Sequence, residues 1–141
     1  MSEVLKNKLR RAIEETWNKG NTDAWDELYS ADFVCHRPPF ADIEGLEANK
    51  QDVADTFTVF SDIEFTIHEM VIEGNTTVTR YTWRAKRTGQ YPGLSNSPIG
   101  KEVILVGCAV NHWANGKVID EWEFSDYLGY YTQLGVIPPI E

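Results

Sequence analysis

The sequence predicts an α+β fold, with helices packed on one face of a curved antiparallel sheet. Two features of the hydrophobic pattern indicate this arrangement. Apolar residues recur at helical spacing in the N-terminal part, whereas from Ile63 onward apolar and polar residues alternate with a period of two. Helices followed by strands separate into layers, and a curved sheet can enclose an apolar pocket beneath the helices. A chain of 141 residues fits one domain, spanning residues 1–141.

Three helices are expected before the period changes. The first is amphipathic and ends near Gly20, with its apolar residues at Val4, Leu5, Leu9, Ala12, Ile13 and Trp17. Thr22 or Asp23 can cap a short second helix, after which "DFVCHRPP" predicts a brief strand that two prolines end. A third helix is expected from about Leu46 to Phe60.

Four strands form the predicted meander. The first begins near Ile63 and turns at residues 73–75, and the others lie near residues 77–87, 101–114 and 117–125. The last two strands are joined by Asn115-Gly116, which is typical of a two-residue type I′ turn. The element order, helix-helix-strand-helix followed by four strands, resembles the nuclear transport factor 2-like cone.

The register of the last hairpin decides which side chains share a face. Counting outward from the turn places Trp113 opposite Val118, Asn111 opposite Asp120, Ala109 opposite Trp122, and Gly107 opposite Phe124. Asp126 would then share a face with Asp120, with Leu105 as its apolar neighbour. The same count places His112 on the other face. If His112 and Asp126 line one site, either the strand bulges between them or Asp126 lies beyond the regular ladder and turns back.

Composition excludes several classes of partner. The sequence has 22 acidic and 13 basic residues, a formal net charge of −9, which repels nucleic-acid phosphates and anionic lipid headgroups. The N-terminus lacks an uninterrupted apolar stretch, and the two cysteines show no CxxC spacing. We therefore expect a cytoplasmic protein with no nucleic-acid partner, no membrane span and no disulfide.

Asp126 is the leading candidate for acid/base chemistry. It lies between Phe124 and Tyr127 at the end of the last strand. An apolar neighbour such as Leu105 would desolvate the carboxylate and raise its pKa, which is what a general acid/base near neutral pH requires. The alternative is a solvated acid at a strand end.

Two histidines are the secondary candidates. His112 lies in a strand and His36 at the end of one, and either position is also typical of a packed or edge residue. The sequence contains no HxH, HxxxH or HxxE cluster and no glycine-rich phosphate loop. We therefore expect no metal site and no nucleotide chemistry.

Several segments in the same order resemble SnoaL-like polyketide cyclases. "GKVIDEWEFSDYLGYYTQLGVIP" is similar to the family's C-terminal signature, which contains an Asp and a closing QLG. "CHRPPFADIEGLEANK" resembles its His-x-Pro stretch, and "EGNTTVTRYTW" its turn followed by a strand bearing Arg. The resemblance extends from about residue 18 to residue 138.

The resemblance implies an α+β cone, a homodimer and cofactor-independent catalysis. In characterised cyclases of this family the signature Asp is the acid/base of an intramolecular aldol condensation, assisted by histidines. This assigns catalytic roles to Asp126, His112 and His36. It also implies that the strand bulges, and that Arg80 binds a substrate oxygen or pairs with an acid in the sheet.

The sequence departs from the family near the expected pocket entrance. Arg87 replaces a histidine that many relatives carry, and Pro98, Ile99 and Gly100 replace a Pro-Thr-Gly loop segment. The substrate is therefore expected to differ from the polycyclic esters that the best-known members close.

Together these features predict a cofactor-independent enzyme that performs an aldol-type cyclisation or a related isomerisation on a small apolar carbonyl compound. Aromatic side chains are expected to bind the substrate, namely Trp17, Phe57, Trp122 and Phe124. The alternative is a non-catalytic binding protein that uses the same pocket. An isomerase or epoxide hydrolase would need a second acid, for which Asp120 is the nearby candidate on the same face.

Overall fold

The computed structural model describes residues 2–89 and 99–140. In chain order its elements are α1 (Ser2–Lys19), α2 (Trp25–Leu28), β1 (Tyr29–His36), β2 (Ile43–Glu44), α3 (Leu46–Val59), β3 (Phe60–Glu73), β4 (Thr76–Arg87), β5 (Glu102–Ala114), β6 (Lys117–Ser125) and α4 (Tyr127–Gln133). The predicted α+β class is confirmed, whereas the predicted set of three helices is not exactly matched. One helix, α4, was not predicted.

The six strands form one sheet in the order β2-β1-β6-β5-β4-β3. Strands β3 to β6 form the predicted antiparallel meander. The sheet is antiparallel apart from one pair that was not predicted: β1 pairs with β6 in parallel, with Cys35 beside Glu121 and His36 beside Trp122. The chain passes through β2, α3 and three strands between β1 and β6, which gives it the length that a parallel pairing needs.

Two apolar clusters fill the space between the helices and the sheet. One joins α1, α2 and β1 to the far end of the meander through Leu9, Leu28, Phe33, Trp113 and Val118. The other joins the start of β3 to α4, and its residues are Val59, Phe60, Ile63, Trp83, Ala85, Val103 and Leu134. Among the described residues, no helix has both the length and the apolar character needed to cross a bilayer.

A bulge in β6 sets the faces of the last hairpin. Trp113 pairs with Val118 as predicted, but His112 pairs with Asp120, so Ile119 is an additional residue in β6. The predicted partners of Asn111, Ala109 and Gly107 are therefore wrong by one position: these residues pair with Glu121, Glu123 and Ser125. Those three β6 side chains face the helices. Trp122 and Phe124 lie on the opposite face, which we call the outer face of the sheet.

The turn between β5 and β6 requires a glycine. Asn115 and Gly116 both have positive φ, 52° and 77°, as a type I′ turn demands. We expect Gly116→Ala to lower the free energy of unfolding by about 1–2 kcal/mol, because a Cβ is disfavoured in the left-handed region. Urea denaturation measures this difference. Asn115→Gly is the matched control, and an equal loss of stability in both variants would contradict the explanation.

Candidate active site

A cavity of about 330 Å³ lies between the helices and the inner face of the sheet. This volume is at the lower end of the range for small-molecule sites. Its walls are mainly aromatic, and the rings that line it are Trp17, Trp25, Tyr29, Phe33, Phe40, Phe60, Phe65, Tyr81, Trp83, Tyr127, Tyr130 and Tyr131. Trp17 lies parallel to Phe65, with ring centroids 6.5 Å apart, and edge-on to Trp83 at 6.4 Å. A flat, largely apolar molecule fits such walls.

Two neighbouring carboxylates of β6 interrupt this apolar surface. Glu121 and Glu123 both line the cavity because they lie two residues apart on the inner face of β6. Glu121 is buried and accepts hydrogen bonds from two side chains of β1: the Tyr29 hydroxyl at 3.1 Å and the Cys35 thiol at 3.8 Å. The parallel pairing of β1 with β6 brings these donors to the carboxylate.

Burial raises the pKa of Glu121 well above its usual range, and the negative charge of Glu123 raises it further. The hydrogen bonds from Tyr29 and Cys35 offset part of this effect. The pKa values of the Tyr29 hydroxyl and the Cys35 thiol are also raised, chiefly by burial and then by the two carboxylates. Glu121 therefore retains a proton at pH values where an isolated carboxyl group has lost its own.

Three of these side chains form the one cluster of candidate metal-binding groups in the described part of the chain. One atom from each of Cys35, Glu121 and Glu123 lies within 4.8 Å of the others. The Cys35 thiol and the two carboxylates can therefore reach one common cation, although the thiol already donates a hydrogen bond to Glu121.

Further polar groups lie at other positions of the cavity wall. The hydroxyls of Tyr81 and Ser125 are 2.6 Å apart. A Cβ at Gly107 would lie only 2.5 Å from the Ser125 hydroxyl oxygen, so this contact requires a glycine. Arg37 pairs with Asp52 at 3.3 Å. Burial raises the pKa of Asp52, and Arg37 opposes that shift.

The structure places Asp126 outside the cavity wall. Its side chain is exposed and caps α4, with Oδ1 accepting the Gly129 N–H at 2.9 Å. A Cβ at Gly129 would lie 2.3 Å from the Asp126 carboxylate, so the glycine makes room for the cap. The catalytic role assigned to Asp126 stays a prediction.

The rest of the C-terminal signature also builds α4. The Gln133 amide exchanges two hydrogen bonds of 2.8 Å with the Ile104 backbone, which attaches the helix to β5. Leu134 is fully buried, and Gly135 has a φ of 77° just after the helix. These contacts hold Tyr127, Tyr130 and Tyr131 against the cavity.

Both predicted histidines lie on the outer face. His36 stacks on Trp122, with ring centroids 4.1 Å apart, and its Nδ1 is 3.0 Å from Asp42. His112 pairs with Asp120 through Nδ1. The bulge at Ile119 does bring His112 and Asp120 onto one face, but that face is opposite the cavity.

The predicted substrate-binding residues are divided between the two faces. Trp17 lines the cavity, and Phe57 is half-exposed and stacks on Trp17 at 6.1 Å without lining it. Arg80 pairs with Glu69 on the outer face, and Phe124 stacks on Trp122 there. Their predicted roles in substrate binding stay untested.

The departures from the family pattern are only partly described. Arg87, which stands in place of a histidine, is 1% exposed at the end of β4. Ile99 and Gly100 form a turn that is exposed to solvent. Pro98 lies outside the described residues.

Sequence reasoning missed Glu121 and Glu123 because both faces of β6 carry acids. In the segment "VIDEWEFSD", both the odd-numbered and the even-numbered positions carry acids. Only the pairing register with β5 could therefore identify which set faces the cavity. The signal that could have found them was the register of the β5–β6 hairpin. One additional residue in β6 places Glu121, and not Asp120, opposite Asn111.

The chain was compared with known proteins. A family model described as SnoaL-like polyketide cyclase matches residues 7–134. TsrD from Streptomyces laurentii is 20% identical, with a TM-score of 0.83 over 95% of this chain and 97% of that chain. A candidate polyketide cyclase from Acidithiobacillus ferrooxidans is 26% identical, with a TM-score of 0.81 over 93% of this chain and 94% of that chain.

A third solved structure identifies the fold. It is a protein from Catenulispora acidiphila with a ketosteroid isomerase-like fold, 14% identical, with a TM-score of 0.71 over 89% of this chain and 90% of that chain. None of the curated proteins compared with the sequence matches it. These likenesses confirm the predicted nuclear transport factor 2-like cone.

The raised pKa of Glu121 predicts a pH dependence of stability. The folded protein holds this proton more tightly than the unfolded chain, so the free energy of unfolding falls as pH rises above the ordinary value of 4.5. We expect Glu121→Gln to flatten this decline between about pH 5 and pH 8, and to be more stable than the parent at pH 8. Urea denaturation across this range measures the slope.

Glu69→Gln is the matched control, because Glu69 is an exposed acid on the outer face. It should leave the slope unchanged. A Glu121→Gln variant with the parental slope would show that Glu121 ionises normally in the folded protein.

Proposed function

Since the chain belongs to the SnoaL-like polyketide cyclase family, we propose that it is a cofactor-independent cyclase or isomerase acting on a small, mostly apolar carbonyl compound. The family supports a role in small-molecule cyclisation or isomerisation. The observation that carries the finer proposal is the pair of carboxylates, Glu121 and Glu123, inside an aromatic cavity. Two acids that share a proton in a poorly solvated site can both accept and donate one near neutral pH.

The proposed reaction is a proton transfer at the carbon next to the carbonyl group. The ionised member of the glutamate pair removes this proton, and the electron pair of the C–H bond moves into the carbonyl group to form an enolate. A protonated group beside the oxygen stabilises the new charge. Glu121, whose pKa is raised, is suited to supply such a proton, and the Tyr29 hydroxyl that hydrogen-bonds to it is a further donor.

Two outcomes are open to the enolate. Attack of its carbon on a second carbonyl group of the same molecule forms a C–C bond, and proton transfer to the new alkoxide completes an aldol cyclisation. Return of a proton at a different carbon gives an isomer. Both outcomes conserve electrons, so the proposed chemistry requires no external oxidant or reductant.

The family resemblance offers Asp126 as the acid/base in place of the glutamate pair. The Asp126 side chain is exposed, is not among the residues that line the cavity and caps α4, and these features favour the glutamates. The proposal for Asp126 is retained as the competing assignment, and the experiment below separates the two.

Exchange of a carbon-bound proton tests the proposal without knowledge of the natural substrate. 2-Tetralone in D₂O is a suitable probe, because it is a flat ketone that an aromatic cavity of this volume can hold. We expect the protein to accelerate α-deuteration, measured by proton NMR, and Glu123→Gln to reduce the acceleration by roughly two to four orders of magnitude. Asp126→Asn, which preserves the cap, should retain most of it.

The remaining outcomes assign the site differently. Loss of exchange in a folded Asp126→Asn variant, with exchange retained in Glu123→Gln, would favour the assignment from the resemblance. Binding of 2-tetralone with no enhanced exchange in the parent protein would favour a non-catalytic binding protein.

We also propose the homodimer that the resemblance implies, formed through the outer face of the sheet. Phe124 is 53% exposed there and Val106 is 47% exposed, which leaves apolar surface on strands that the helices do not cover. Trp122 and His36 extend the same surface. Contiguous exposed apolar area of this kind favours association.

Sedimentation tests the dimer. We expect Phe124→Asp to convert the dimer into a folded monomer, because it places a charge in the centre of the apolar surface. Val4→Asp is the control, since Val4 is an exposed apolar residue on α1. A parental protein that sediments as a monomer at high micromolar concentration would refute the proposal.

A further inference from the structure

The side chains that line the cavity carry an excess of negative charge. Among the described lining residues the acids are Asp52, Asp55, Glu121 and Glu123, and Arg37 is the one basic residue. Arg37 already pairs with Asp52. The glutamate pair therefore has no cationic side chain of the described lining as its counter-charge.

The wall around this charge is of the kind that binds cations. The electron-rich faces of Trp and Tyr rings attract an ammonium group, and the attraction is stronger in a site from which water is excluded. Tyr29 lies beside the glutamate pair, at hydrogen-bond distance from Glu121, and Trp25 packs against Tyr29 with ring centroids 4.9 Å apart. Carboxylates and aromatic rings are thus combined at one end of the cavity.

One buried polar atom at this end of the cavity is without a hydrogen-bond partner. Asn111 is 1% exposed, lines the cavity and lies directly opposite Glu121 in the β5–β6 ladder. Its Oδ1 makes no hydrogen bond. A buried acceptor left without a donor is destabilising. A ligand that brings N–H donors to this position would satisfy Asn111 and the neighbouring carboxylates together.

We infer that the ligand of this cavity is an amine, with a protonated nitrogen held between Glu121, Glu123 and Asn111 and a flat apolar body against the aromatic walls. The inference rests on the proposed function for the location of the site, and it adds the chemical class of the substrate. An amine that also carries a carbonyl group is the substrate that satisfies both this inference and the proposed proton transfer. The net charge of −9 on the whole chain favours the approach of such a cation.

Three probes of matched shape test the charge preference by calorimetry at pH 7. They are 1-naphthylmethylammonium, the neutral 1-naphthalenemethanol and the anionic 1-naphthoate. We expect the ammonium to bind about tenfold more tightly than the alcohol, which corresponds to about 1.4 kcal/mol, and the carboxylate to bind most weakly. In Glu123→Gln the ammonium and the alcohol should bind nearly equally, whereas Glu69→Gln, on the outer face, should retain the preference.

Several results would overturn the inference. These are equal binding of the ammonium and the alcohol to the parent protein, tighter binding of naphthoate, no binding of any probe at millimolar concentration, or an ammonium preference that survives in both Glu121→Gln and Glu123→Gln. The first three come from the parent protein alone, so they hold even if a variant fails to fold.

The exchange assay separates this inference from the proposed function. Accelerated exchange of 2-tetralone without an ammonium preference would sustain the proton transfer and refute the amine. An ammonium preference without exchange would identify an amine-binding cavity that lacks the proposed chemistry.

Discussion

Two carboxylates lie side by side in an apolar cavity, and much of the surrounding structure compensates for their burial. An ionised carboxylate in such a place is strongly unfavourable unless it is protonated or hydrogen-bonded. Both remedies apply to Glu121, since its pKa is raised and it accepts hydrogen bonds from Tyr29 and Cys35. Both donors belong to β1. The parallel pairing of β1 with β6 is thus as much a feature of the site as of the fold.

The bulge at Ile119 sets the chemistry of each sheet face. By adding one residue to β6, it turns Glu121 and Glu123 inward and leaves Trp122 and Phe124 on the outer face. Without the bulge, the alternate residues of β6, beginning with Asp120, would face the cavity. The bulge therefore separates an acidic inner surface from an aromatic outer one. Bulges near functional sites often redirect a side chain in this way.

The fold could be predicted from the sequence because its signals are local. Helical spacing ended near Gly20, alternation began near Ile63, and Asn115-Gly116 marked the last turn, each within a few residues of the observed boundary. The cavity residues were harder to identify because they depend on pairing between distant strands. Trp17 was found from its helix, whereas Glu121 needed both the bulge and the approach of β1. Helix α4 was missed because its tyrosines have no distinctive helical pattern.

The C-terminal signature illustrates how a sequence motif can record architecture. Asp126 caps α4, and Gly129 leaves room for that cap. Gln133 attaches the helix to β5. The helix is followed by the buried Leu134 and by Gly135, which has a positive φ. Three tyrosines of that helix face the cavity, while the glutamate pair belongs to β6. The tyrosine wall of the cavity and the glutamate pair are thus encoded in separate elements. A lineage could exchange Tyr127, Tyr130 and Tyr131 and keep both the helix anchor and the glutamate pair, and a protein engineer could diversify the same three positions.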